Sequence, residues 1–139
     1  MKRVVVFGIF DGVHEGHRSL FTQAIRQAKG KQKEKVELVA VVGRDGAAKK
    51  LKGRTPKQGE GERRRLVEQE ELVDLAVLGD EEISSYLVLE ELQADIVCLG
   101  YDQEELAADL EKWIREKGKK IFLKRLKSYL PEKYHSSLL

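Results

Sequence analysis

The chain has a single cysteine, so no intrachain disulfide is possible and any stabilisation must come from packing and hydrogen bonding. Charge of one sign is just as scarce. Lys and Arg total 26 against 24 acidic residues, and a net charge of +2 is too small a field to argue for a nucleic-acid partner. An anion site here must be a local arrangement of groups. No apolar run approaches the ~20 residues that cross a bilayer. The first residues also lack the apolar stretch of a signal peptide, so a cytoplasmic protein without membrane contact is expected. Internal repeats, low-complexity tracts and linkers are absent as well.

What remains is 41% hydrophobic residues grouped into runs and 36% charged residues of mixed sign, in a length that suits one globular domain, residues 1–139. Short apolar runs at about residues 3–7, 36–42, 75–78, 96–99 and 120–123 are expected to be strands. Between them, segments of helical period cover about residues 17–29, 60–71, 82–92 and 104–117, with Gly30 and Gly118 at two of the expected ends. Residues 43–59, basic and glycine-containing, read as a long loop at a strand's C-terminal end. Cys98 and Trp113 fall at core positions. Of Arg63, Arg64 and Arg65, at least one is expected to turn towards that loop edge. Alternation of strand and helix predicts an α/β fold, a single Rossmann-like doubly wound domain with a five-stranded parallel sheet. Its ligands belong at the C-terminal ends of the strands.

The stretch Gly8-Ile9-Phe10-Asp11-Gly12-Val13-His14-Glu15-Gly16-His17 lies where the first strand passes into the first helix. Free N–H groups and aligned peptide dipoles favour an anion at a helix N-terminus, and two imidazoles in the same turn can hydrogen-bond its oxygens. Gly12 and Gly16 suit a tight turn with close backbone approach. Zinc binding by His14 and His17 is a second reading, which would need further ligands such as His135 or Cys98. A third makes both histidines structural. The glycines and the strand-to-helix setting favour phosphate.

The pattern Gly8-x-Phe10-Asp11-x-x-His14-x-Gly16-His17 resembles the signature of the cytidylyltransferase-like nucleotidyltransferases, which join a nucleotide to a phosphate-bearing acceptor and release pyrophosphate. Arg44-Asp45, Lys52-Gly53, Glu62-Arg63, Val73-Asp74 and Ser136-Ser137 are similar, in order, to further elements of that family. Gly100-Tyr101-Asp102-Gln103 is most like the archaeal-type FAD synthetases, which transfer AMP from ATP to FMN. The resemblance implies that His14 and His17 stabilise the α- and β-phosphates, that Lys52, or less directly Lys49 or Lys50, meets the phosphates, and that Arg63 binds a phosphate. It places Asp102, Gln103 and the Gly100 backbone, beside Tyr101, at the base and ribose, with Ser136 and Ser137 on the β- and γ-phosphates. Gly8, Ile9, Phe10, Asp11 and Gly16 would complete the nucleotide site, Asp11 supporting the turn or the metal environment. Mg²⁺ is implied as a companion of ATP rather than in a dedicated protein cage. Members of the family are often dimers, so a homodimer is a possible assembly. Two positions depart from the pattern: Ile9 stands where Thr, Ser or Asn is general, and Pro131 where cytidylyl members often place Arg. CTP with glycerol 3-phosphate or another phospho-alcohol is the alternative substrate pair, and a nucleotide- or flavin-binding module without turnover is the alternative of another class.

Overall fold

The computed structural model describes residues 2–30, 35–82 and 84–127, and for residues 51 and 52 the backbone alone. Five strands, β1 (Lys2–Gly8), β2 (Val36–Val42), β3 (Leu75–Leu78), β4 (Ile96–Leu99) and β5 (Phe122–Arg125), form one sheet in the order β3-β2-β1-β4-β5. Every pairing is parallel, as expected. The chain winds outward from β1 to one edge, then returns to wind towards the other, so the switch point lies between β1 and β4. Strands that close in chirally right-handed crossovers on both faces produce this layering.

Helices cover both faces. Alternation along β1 sends Val4 and Val6 to a core with α1 (Glu15–Lys29) and α3 (Glu60–Glu68), while Val5 enters a second core with α4 (Leu87–Leu92) and α5 (Glu104–Lys117). Phe21, Ala24 and Ala28 form the buried stripe of α1, and Leu110 and Trp113 that of α5. Cys98 is fully buried on β4, where desolvation pushes its thiol up to about 12. It is a packing residue, not a nucleophile.

Four elements differ from expectation. The first helix begins at Glu15 rather than His17, because the His14 side chain supplies its N-cap. The expected loop after β2 contains an eight-residue helix, α2 (Asp45–Lys52), whose first amide is held by a carboxylate from elsewhere, Asp45 N–H donating to Glu60 at 3.0 Å. Its buried face includes Ala48, too slight an apolar signal to read as helical period. The helix expected from residue 82 or 84 starts only at Leu87, since Ser84 and Tyr86 adopt left-handed backbone with φ of 69° and 49°. The last strand lies two residues later than its apolar run, at Phe122–Arg125, in register from Ile96↔Phe122 to Leu99↔Arg125. As an edge strand it leaves Phe122 exposed, so pairing rather than burial sets its position. Leu72, expected on the apolar side after α3, is 40% exposed.

Candidate active site

At the C-terminal ends of the strands the described residues enclose an open cleft of about 1240 Å³. That exceeds the about 300–1,000 Å³ typical for one drug-sized ligand. Gly8, Ile9, Phe10, Asp11, His14, Gly16 and His17 all line it, and so does the Gly100–Gln103 turn on the far side of the switch point.

The two histidines cap each other's helix. Gly16 N–H donates to His14 Nδ1 at 3.0 Å, and His14 N–H donates to His17 Nδ1 at 3.2 Å. Two otherwise orphaned donors of the first turn are satisfied in this way. A chemical consequence follows from the acceptor role of each Nδ1: in the neutral ring the proton must sit on Nε2. In that neutral state His14 and His17 both carry their proton on Nε2, and the two rings stack 3.9 Å apart. Glu15, in the same first turn, is engaged by Arg18 at 2.6 Å.

Beneath them, Phe10 holds the pair in place. Its ring is almost fully buried and meets His17 edge-on at 5.0 Å and Phe21 at 5.8 Å. Phe10 has φ of 56°, a conformation costly for a bulky residue. A Cβ on Gly8 would lie 2.6 Å from the Phe10 ring, so this strand end requires glycine. Phe10 thus acts as a wedge under the histidine turn. Gly12, at φ 89°, makes the expected turn, whereas Gly16 lies in the first helical turn and serves through its amide. Ile9, the unusual residue of the motif, lays its side chain over Gly43, where a Cβ would clash at 2.6 Å.

Asp11 supports the turn. Its two oxygens accept from Lys57 N–H at 2.9 Å and Gln58 N–H at 3.1 Å, and these amides hold its carboxyl below the usual range. The segment after α2 is thereby strapped to the histidine turn. Asp11→Ala is expected to speed hydrogen exchange at the Lys57 and Gln58 amides while leaving those of β1 and β2 protected, which native-state exchange reads directly.

Arg63 departs furthest from its expected role. Instead of reaching the cleft for a phosphate, its guanidinium is completely buried and gathers four residues from three segments of the chain. Its Nε donates to Gln58 O at 2.9 Å, Nη1 to Ile9 O and Gly43 O at 2.7 Å each, and Nη2 to Asp45 at 2.6 Å. A side chain whose bonds all end on protein has no donor set facing an incoming anion. Arg64 and Arg65 make surface pairs with Glu68 and Glu62.

Gln103 is likewise turned inward. Its side chain accepts from Gly100 N–H at 2.8 Å and donates to Phe7 O at 3.0 Å, fastening the β4 turn to the end of β1. Tyr101 is 59% exposed and Asp102 lies beside it, so the turn's outer face is open. A Cβ on Gly100 would come within 3.0 Å of Asp102. Lys49 and Lys50 are exposed on α2 and do not line the cleft; the Lys52 side chain, Ser136 and Ser137 lie outside the described residues. Two cations without a site role in the sequence reading line the cleft, Arg54 and Lys127. Arg54 stands in the basic segment already singled out, whereas nothing local marks Lys127. Among the described residues no group of three or more His, Cys, Asp or Glu side chains is placed to hold a metal ion, and none of the helices is long and apolar enough to cross a membrane.

Residues 1–42 match the family model described as FAD synthetase. The chain is 40% identical to the FAD synthase of Aciduliprofundum boonei over 129 residues, 93% of this chain and 80% of that protein. Against the FAD synthase of Methanobrevibacter smithii identity is 35%, covering 93% and 81%. Among solved structures, a lipopolysaccharide core biosynthesis protein from Thermoplasma volcanium superposes with a TM-score of 0.80 at 32% identity, over 93% of this chain and 98% of that one. A protein of unknown function from Archaeoglobus fulgidus, 20% identical with a TM-score of 0.67 over 96% and 94%, shares the fold.

Proposed function

Since the chain belongs to the FAD synthase family, we propose that it transfers AMP from ATP to FMN, yielding FAD and pyrophosphate. An FMN phosphate oxygen attacks the α-phosphorus of ATP in line. The new P–O bond forms as the bond to the bridging oxygen breaks, and the electron pair leaves with pyrophosphate.

The observation that carries this reading is the reciprocal capping of His14 and His17 at the N-terminus of α1. It orients two imidazoles at a helix N-terminus, a setting that supports their acting on the charge that accumulates on the α- and β-phosphates. Preorganised donors of this kind stabilise the transition state without reorganising as charge develops. Aligning both substrates in the cleft adds positioning to the electrostatic effect. Arg54 takes the phosphate-binding part that Arg63 cannot play, and the open outer face of Tyr101 and Asp102 receives the base and ribose. Mg²⁺ enters this reading as a cation carried by the nucleotide phosphates, and Asp11, each of whose oxygens accepts one amide and keeps a further lone pair, is the carboxylate in the motif that would stand beside it. When bound, it offsets phosphate charge.

Pyrophosphate release in the presence of Mg²⁺ tests the reading, with ATP plus FMN set against CTP plus glycerol 3-phosphate. Release from the first pair alone, with FAD appearing in equal amount, is expected. Release from the CTP pair alone would replace the substrates and keep the histidine chemistry. Saturable ATP binding without turnover by either pair would identify a binding module instead.

A further inference from the structure

The cleft also reaches the face of the sheet that α4 and α5 cover. Phe7, Val41, Tyr86 and Val88 provide apolar wall there, and Ser84 and Asp109 provide its polar end. Tyr86 is clamped edge-on between Phe7 at 6.5 Å and Trp113 at 5.5 Å. Ser84 and Tyr86 both hold left-handed backbone, unfavourable for a residue with a side chain, so something must hold them there. The holder is one oxygen of Asp109: its Oδ2 accepts from Ser84 Oγ at 2.6 Å and from Tyr86 OH at 2.5 Å. Those hydroxyls keep the carboxyl below its usual range, hence ionised and able only to accept. Asp109 is half-buried on α5 and lines the cleft, with Oδ1 as its remaining acceptor.

We propose that this lobe binds the isoalloxazine ring of the acceptor, with Phe7 and Tyr86 against its apolar body and Asp109 accepting a hydrogen bond from ring N3–H. The inference rests on the FMN reading above. Oxidised isoalloxazine is a broad, largely apolar plate with a single N–H donor, N3–H, on its pyrimidine edge. An aromatic-walled recess ending in a fixed, acceptor-only carboxylate complements that pattern. A site built to accept from N–H discriminates sharply against an analogue that lacks the hydrogen.

Steady-state FAD formation with FMN and with N3-methyl-FMN tests it in the unaltered protein. FMN is expected to be preferred by about ten-fold or more in kcat/KM, the size of one hydrogen bond to a charged group. In Asp109→Ala, KM for FMN should rise by about the same factor, KM for ATP should stay within about two-fold, and the preference over the methylated flavin should collapse. Losing Asp109 also releases Ser84 and Tyr86, and the analogue comparison in the unaltered protein reads the ring edge without that disturbance. Equal use of the two flavins by the unaltered protein, or full discrimination by Asp109→Ala, overturns the assignment. Absence of any FAD from ATP and FMN overturns the underlying function, and with it this proposal; the two failures are therefore distinct.

Discussion

Replacing His14 or His17 by alanine is expected to lower AMP transfer by about 10²–10³-fold, the usual cost of one preorganised donor to a developing oxyanion. The two substitutions should not be additive, because each ring's Nδ1 helps fix the turn that carries both. Stability and catalysis are separable at His14. Alanine also removes the N-cap, worth about 0.5–2 kcal/mol, whereas asparagine offers an oxygen to Gly16 N–H and has no imidazole donor. His14→Asn should therefore melt close to the unaltered protein and still lose the transfer activity. Single-turnover rates with thermal melts on the same samples decide the matter. An alanine variant that transfers AMP at the original rate would remove the histidines from the mechanism.

Removing the Arg63 guanidinium is expected to have the larger structural effect. Arg63→Met leaves the carbonyls of Ile9, Gly43 and Gln58 without their donor and strips Asp45 of its partner, so a loss of about 3–5 kcal/mol is expected. In a chain of this size that corresponds to a melting temperature lower by roughly 10 °C or more. Lysine is not a substitute, because an ammonium on a flexible stem cannot span three carbonyls and a carboxylate at once. Arg63→Lys should recover only part of the loss, and thermal or urea unfolding measures both. A residue whose task was to bind phosphate would behave in the opposite way, with stability unchanged and KM for ATP raised.

These two expectations mark where reading the chain succeeded and where it fell short. Strands β2, β3 and β4 and helix α5 appear at the residues their patterns indicated, because a central strand covered on both faces, such as β2 or β4, is a largely apolar run, the edge strand β3 keeps a short one, and a packed helix must show its stripe. The histidine turn was legible for the same local reason. Its glycines, its imidazoles and the helix it opens are all within ten residues, so spacing carries the geometry. Cys98 and Trp113 were placed in the core by periodicity alone.

Arg63 shows the limit. Its residue type and its nearness to the loop edge were both readable, but not whether the guanidinium faced solvent or protein. That depends on four acceptors between 5 and 54 positions away along the chain, brought together only when α3 packs beside β2 and the motif turn. The same holds for Gln103, which answers to a carbonyl of β1, and for the left-handed pair Ser84 and Tyr86, held by a carboxylate on α5. Local pattern thus sufficed for β2, β3, β4, α5 and the histidine turn, since their causes are local, whereas α2, the start of α4 and the position of β5 depend on partners from elsewhere in the chain. The roles of Arg63, Gln103 and Asp109 were decided by packing, because a long polar side chain takes whichever partner desolvation leaves within reach.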